Sequence, residues 1–137
     1  MNIEKFKDDH VAVMTSVTRL KELSKAGISE NADAIAKTLV NMSAVIKLHL
    51  AAEDQYVYPT LAKSSDPSVA QMGKKYQDEM GGLATAYMGF VSRWNLGSKV
   101  SADPEGFRAE ANEVLKALHQ RIQKENQEFY PLVESIY

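Results

Sequence analysis

Glu53-Asp54-Gln55-Tyr56-Val57-Tyr58-Pro59 returns later in the chain as Glu125-Asn126-Gln127-Glu128-Phe129-Tyr130-Pro131. One helical turn before the first glutamate stands His49; one turn before the second stands Arg121. Residues at i and i+4 share a helix face, so His49 and Glu53 can hold one metal ion between them. Arginine stays protonated and offers no lone pair, so Arg121 cannot do the same. The duplication therefore reads as two metal-binding halves, one kept and one lost.

Around both copies, apolar residues recur at helical spacing, and no segment alternates as a strand would. Ile3, Phe6, His10, Val13, Val17 and Leu20 mark a first helix over residues 3–24, ended by Gly27 as a C-terminal cap. A second, over 31–63, carries Ile35, Leu39, Met42, Ile46, His49, Glu53 and Tyr56 in line. Asp66 before Pro67 starts a third, with Val69, Met72, Tyr76, Met80, Leu83, Tyr87, Phe90 and Trp94. After a polar stretch over 95–103, Asp103-Pro104 starts a fourth, with Phe107, Ala111, Val114, Leu118, Glu125 and Leu132. Short connections between four amphipathic helices predict an all-α, antiparallel up-down-up-down four-helix bundle in one domain, residues 1–137. Pro59 and Pro131 are expected to kink or end the second and fourth helices.

The composition excludes several classes of function. Net charge is −2 with acids and bases interspersed, which gives no reason to expect a nucleic-acid or anionic-membrane partner. There is no cysteine, so disulfides, thiolate metal sites and cysteine nucleophiles are absent. The N-terminus lacks an apolar signal core, and no uninterrupted apolar run of membrane-spanning length is seen, so a cytoplasmic location is expected.

His10, His49 and Glu53 interrupt stripes that are otherwise apolar, and Glu125 does so in the fourth helix. Burying such groups unpartnered costs on the order of several kcal/mol each, comparable to the net stability of a whole domain. They are therefore paired, bound to a metal or set in a wet cavity. Inward-facing His and Glu from facing helices are how bundles build iron and manganese sites. The repeat also extends backwards: His10 lies 39 residues before His49, and Met80 lies 41 before Arg121.

These features resemble hemerythrin and the wider hemerythrin-like (HHE cation-binding) domains over essentially the whole chain. The resemblance rests on Asp9-His10, on His49-x-x-x-Glu53-Asp54 running into Tyr58-Pro59, and on Glu125-Asn126 running into Tyr130-Pro131. It implies two irons bridged by two carboxylates, with His10 and His49 on the first iron and Glu53 and Glu125 as the bridges. The second iron's histidines would fall at Met80, Ala84 and Arg121, none of which is a usable ligand. His119 is no substitute, because six positions put it about 120° around the helix from Glu125 at ~100° per residue. It would touch the site only if the fourth helix carried a bulge.

Two readings of the half-site remain open. In the first, His10, His49, Glu53 and Glu125 hold one divalent metal, iron in preference to manganese or zinc, which binds or senses a small ligand such as O2 or NO. Reversible oxygen carriage is not expected without the second iron. In the second, no metal is bound and Arg121 bridges Glu53 and Glu125 in a structural, partner-binding or small-ligand module. Tyr56, Tyr76 and Tyr87 lie on or beside the inner stripes as redox or proton partners, although core filling with one hydrogen bond each explains them as well. No nucleophile triad or phosphate loop is present, so an enzyme is the less expected outcome.

Overall fold

The computed structural model describes residues 3–136, all of it helix and connecting turns, with no strand among the described residues. Helix α1 spans Ile3–Ala26, and Gly27 ends it with φ of 129°, a left-handed conformation that favours glycine. Helix α2 spans Ala32–Ala52, passes through a π turn at Glu53–Val57, and continues as α3, Tyr58–Ala62. Helices α4, Pro67–Met80, and α7, Pro104–Lys124, each begin on the expected aspartate cap. The Asp66 carboxylate accepts from Ser68 N at 2.9 Å and that of Asp103 from Gly106 N at 3.0 Å. A second π turn, Glu125–Phe129, leads from α7 into α8, Tyr130–Ile136.

Three expectations change. The third helix is not continuous: Gly81 and Gly82 form a turn between α4 and α5, Leu83–Trp94, because two glycines in succession hold a helix poorly. The polar stretch after it contains a short helix, α6, Gly97–Ala102. Pro59 and Pro131 do not end their helices. Each follows a π turn in which the tyrosine before it bonds five residues back, Tyr58 N to Glu53 O and Tyr130 N to Glu125 O. The wider turn accommodates a ring that has no N–H to donate.

Helix α2 packs on α1, α5 and α6, α3 packs on α4, and α7 contacts α1 and α5. Residues Ala32–Ala62, although interrupted by Asp33, Lys37, Lys47, Glu53 and Asp54, are long and apolar enough to cross a membrane by length and composition, with mean hydropathy 1.2. Their apolar side chains Ile35, Leu39, Met42, Ile46 and Leu50 are buried within the helical core, and the central helix of such a core has the same composition. Two apolar clusters fill the interior. The larger runs from Val13 and Leu20 through Leu39 and Phe90 to Ile122; the smaller joins Ile3, Val57, Leu61, Tyr76, Phe129 and Val133. Between them lie buried His10, His49, Glu53, Arg121 and Glu125.

Candidate metal centre

His10 on α1, His49 on α2, and Glu53 and Glu125 at the starts of the two π turns converge so that one donor atom from each lies within 4.8 Å of the others. His10 Nε2 is 3.1 Å from His49 Nε2 and 3.0 Å from Glu125 Oε1. His49 Nε2 is 2.9 Å from Glu53 Oε1 and 3.7 Å from Glu125 Oε1. Donors about 2.1 Å from a common ion lie roughly 3.0–3.4 Å apart in octahedral or tetrahedral geometry, and these separations bracket that range.

The outer atoms of each side chain are already committed. His49 Nδ1 donates to Asp9 Oδ2 at 3.0 Å, and His10 Nδ1 donates to Asn126 Oδ1 at 2.8 Å. A carboxylate and an amide oxygen only accept, so both imidazoles carry their proton on Nδ1 and turn Nε2 inward. Tyr130 OH donates to Glu53 Oε2 at 3.0 Å and lies equally close to His10 Nε2, while Tyr58 OH makes a very short hydrogen bond to Glu125 Oε2. Each glutamate thus has one oxygen held by a phenol and the other turned to the histidines. Four lone-pair-bearing atoms then face one another and need a cation among them.

In the protein without metal, protons serve. Burial alone would lower the pKa of His49, but hydrogen bonds with Glu125, Glu53 and Asp9 push it up to about 10. Burial, with the charge of Glu125 alongside, raises Glu53. Burial would raise Glu125 too, yet hydrogen bonds from His10 and His49 hold it below the usual carboxylate range. Tyr58 and Tyr130 are raised by burial and by both carboxylates, so each hydroxyl remains a donor.

Where the second metal's ligands would stand, the structure has a fixed cation. The guanidinium of Arg121, 1% exposed, donates from Nη2 to Glu53 Oε1 at 3.3 Å and Asp54 Oδ1 at 3.1 Å, and from Nη1 to the Met80 carbonyl at 2.9 Å. Met80 is the last residue of α4, so its carbonyl is among those left unbonded at a helix C-terminus, where a cation is favoured. Glu125 Oε2 is 3.6 Å from Arg121 Nε but accepts no hydrogen bond from it, and Nε remains a buried donor without a partner. The expected bridge from Glu53 to Glu125 is present as two ion pairs, at 3.3 Å and 3.6 Å, and the guanidinium reaches beyond it to Asp54 and the Met80 carbonyl. Ala84 and the Met80 side chain are partly buried in the apolar clusters, on opposite sides of the Gly81 and Gly82 turn.

Several expected neighbours are elsewhere. Tyr56 is 67% exposed. Tyr87 is buried, but its hydroxyl donates to the Leu39 carbonyl at 3.3 Å, away from the donor cluster. Tyr76 OH donates to Glu128 Oε2 at 3.0 Å. His119 is exposed beside a surface groove; the bulge in this helix begins at Glu125, too late to rotate His119 inward. Among the described residues, the phenols that do reach the cluster are Tyr58 and Tyr130. At ~100° per residue a fifth residue falls about 140° from its glutamate, but the π turn brings it round to the same face. The readable sign was the Tyr-Pro pair ending both copies of the motif.

The cross-bracing follows the repeat. The tyrosine of each motif binds the glutamate of the other. The residue after each glutamate reaches across as well, charged Asp54 to Arg121 and neutral Asn126 to His10. This is an all-helical protein with a buried His/Glu cluster able to hold a cation. The family model of the hemerythrin HHE cation binding domain matches residues 1–133, and the chain belongs to that family. Comparisons with curated proteins and with solved structures give no match.

Proposed function

We propose that the chain binds one divalent metal ion through His10, His49, Glu53 and Glu125 and uses it to bind or sense a small ligand such as O2 or NO. Iron is preferred to manganese or zinc on the strength of the family and the mixed nitrogen and oxygen donors. The observation carrying the proposal is the pair of Nε2 atoms 3.1 Å apart, each with its Nδ1–H engaged elsewhere. Charge agrees. Glu53, Glu125 and Asp54 oppose Arg121 and leave two negative charges for one divalent ion, while Asp9 is answered by Lys5 at 3.3 Å. When bound, the metal would supply Lewis acidity and an open coordination position. The chain's own work is to fix both imidazole tautomers, restrain one oxygen of each carboxylate, and exclude bulk water.

A smaller site-facing feature supports a ligand of a few atoms. His10, Val13, Ile46, His49, Leu50, Leu118, Arg121, Ile122 and Glu125 enclose a cavity of about 10 Å³, roughly one water-sized position. The packing of α1, α2–α3, α4–α5 and α7–α8 is consistent with the family's up-down-up-down bundle as the frame for this site.

A second reading is favoured by the Arg121 contacts: a module without metal in which the guanidinium and one or two imidazole protons balance the carboxylates. Metal per chain distinguishes the two. Elemental analysis after chelator-free purification, and after reconstitution with iron, manganese or zinc, should give about one metal per chain, abolished by His49→Ala. No binding under any of these conditions would sink the proposal and leave the second reading. Two metals per chain would contradict both.

A further inference from the structure

Helix α1 packs closely along α2 but meets α7 more loosely, and the seam between α1 and α7 is open at the surface. Two depressions of about 580 and 690 Å³ lie along this seam and share Thr18, so they form one continuous groove. On α1 the groove runs from Lys7 to Lys25, which at 1.5 Å per residue is roughly 27 Å. Its wider part has an apolar floor of buried Val17, Leu20, Phe107 and Ala111, with partly buried Leu115. Lys21 and Lys25 stand on the α1 side and Arg108 and Lys116 on the α7 side, while Glu22 is the one carboxylate among the described lining residues. Lys21, Lys25 and Lys116 are exposed and make no hydrogen bond or ion pair among the described residues; Arg108 has Glu105 at 3.9 Å. The chain as a whole carries a net charge of −2, so this excess of positive charge is local.

We propose that the α1/α7 groove docks an acidic amphipathic helix of a separate protein. Its apolar stripe would lie on the floor, and its flanking carboxylates would meet the lysines on both sides. The shape fits, because a seam between two helices receives the side-chain ridges of a third. Roughly 27 Å is the length of about 18 helical residues, or about five turns of apolar anchors. The charge fits as well. Three of the four cations beside the floor are unpaired, so the partner's carboxylates gain them without breaking an existing ion pair. The net negative charge of the remaining surface disfavours an acidic partner elsewhere. At its other end the groove is lined by Asn126, whose side-chain oxygen accepts from His10 Nδ1 at 2.8 Å. A docked helix therefore lies beside the candidate metal centre, although docking itself does not require the metal.

The probe is a synthetic helix of about 18 residues, with leucines at i, i+3, i+4 and i+7 spacing and glutamates flanking them. It is titrated by calorimetry into the full chain, beside a control peptide with lysines in place of the glutamates. The expected result is one acidic peptide per chain, with the basic peptide at least about tenfold weaker. The double variant Lys21→Glu, Lys116→Glu changes exposed residues alone. It should weaken the acidic peptide at least about tenfold and bind the basic one in preference, with helical content unchanged. Thr18→Trp leaves the charge alone and puts bulk at the exposed middle of the groove, so it separates docking from loose attraction to lysines. It too should weaken the acidic peptide at least about tenfold. No binding to the wild type, or affinity within about threefold of wild type in either folded variant, overturns the proposal. Self-association in sedimentation velocity that the charge reversal abolishes would assign the groove to a second copy of this chain. Tighter binding to phosphatidylglycerol vesicles than to the peptide, lost in the same variant, would assign it to a membrane surface. Either result overturns the helix as its occupant.

Discussion

Arg121 is the residue on which the two halves of the molecule differ most. Its guanidinium hydrogen-bonds two carboxylates and a helix-terminal carbonyl, and it stacks over the Tyr58 ring at 5.4 Å. Removing one partner of a buried ion pair leaves the other charges stranded, which typically costs about 3–5 kcal/mol. In chelator-treated protein, Arg121→Met should lower unfolding free energy by that order in urea denaturation. A loss below about 1 kcal/mol would mean that the contacts to Asp54 and Met80 contribute little. Tyr130 offers a contrasting case, since its hydroxyl binds one glutamate oxygen and leaves the fold's apolar packing to the ring. Tyr130→Phe should therefore cost only about 1–3 kcal/mol through the unsatisfied carboxylate oxygen. It should also weaken metal binding, read as a raised Kd for zinc in competition with a chromophoric chelator. An unchanged Kd would show that Glu53 needs no restraint from the phenol.

At the scale of elements, the amphipathic stripes and the two aspartate caps were legible because they follow from helical period and local hydrogen bonding. The π turns were not, and the reason is physical. A widened turn changes the phase of every residue beyond it, and periodicity read at a constant angle carries that error forward. Constant-angle periodicity therefore puts Tyr56 inside and overlooks Tyr58, while His10, on a helix without a π turn, and His49, Glu53 and Glu125, none of which lies beyond a completed π turn, keep the right phase. The Gly81 and Gly82 turn is hidden for a different reason, since Met80, Leu83 and Tyr87 keep apolar spacing across it. Gly82 has φ of −87° and ψ of −13°, and an added Cβ there meets nothing within 4 Å. Gly82→Ala should then stabilise the protein by about 0.4–1 kcal/mol through the unfolded chain's lost freedom. By calorimetry this is a Tm rise of roughly 2–5 °C. A fall in Tm would instead mean that the turn must stay loose for the Met80 carbonyl to reach Arg121.

For the molecule as a whole, the polar cluster divides the core, and that division ties metal to stability. His10 belongs to α1, His49 and Glu53 to the α2–α3 segment, and Glu125 to the α7–α8 segment, so the donors join elements that otherwise meet through two separate apolar clusters. The unfolded chain cannot present these four residues together, because His10 and Glu125 are 115 positions apart. A metal that binds only the folded state adds RT ln(1 + [L]/Kd) to its stability, about 4 kcal/mol at a thousandfold excess over Kd. The Tm of the reconstituted protein should accordingly rise on the order of 10 °C and keep rising with free metal concentration. Chelator should reverse the gain, and His49→Ala should remove its dependence on metal. A metal-independent Tm in the wild type, with normal helical content, would instead assign the work of joining the segments to Arg121, Tyr58 and Tyr130 alone. Those three already cross-link the same elements without an ion, so the size of the metal-dependent shift measures how far the retained half-site still depends on one.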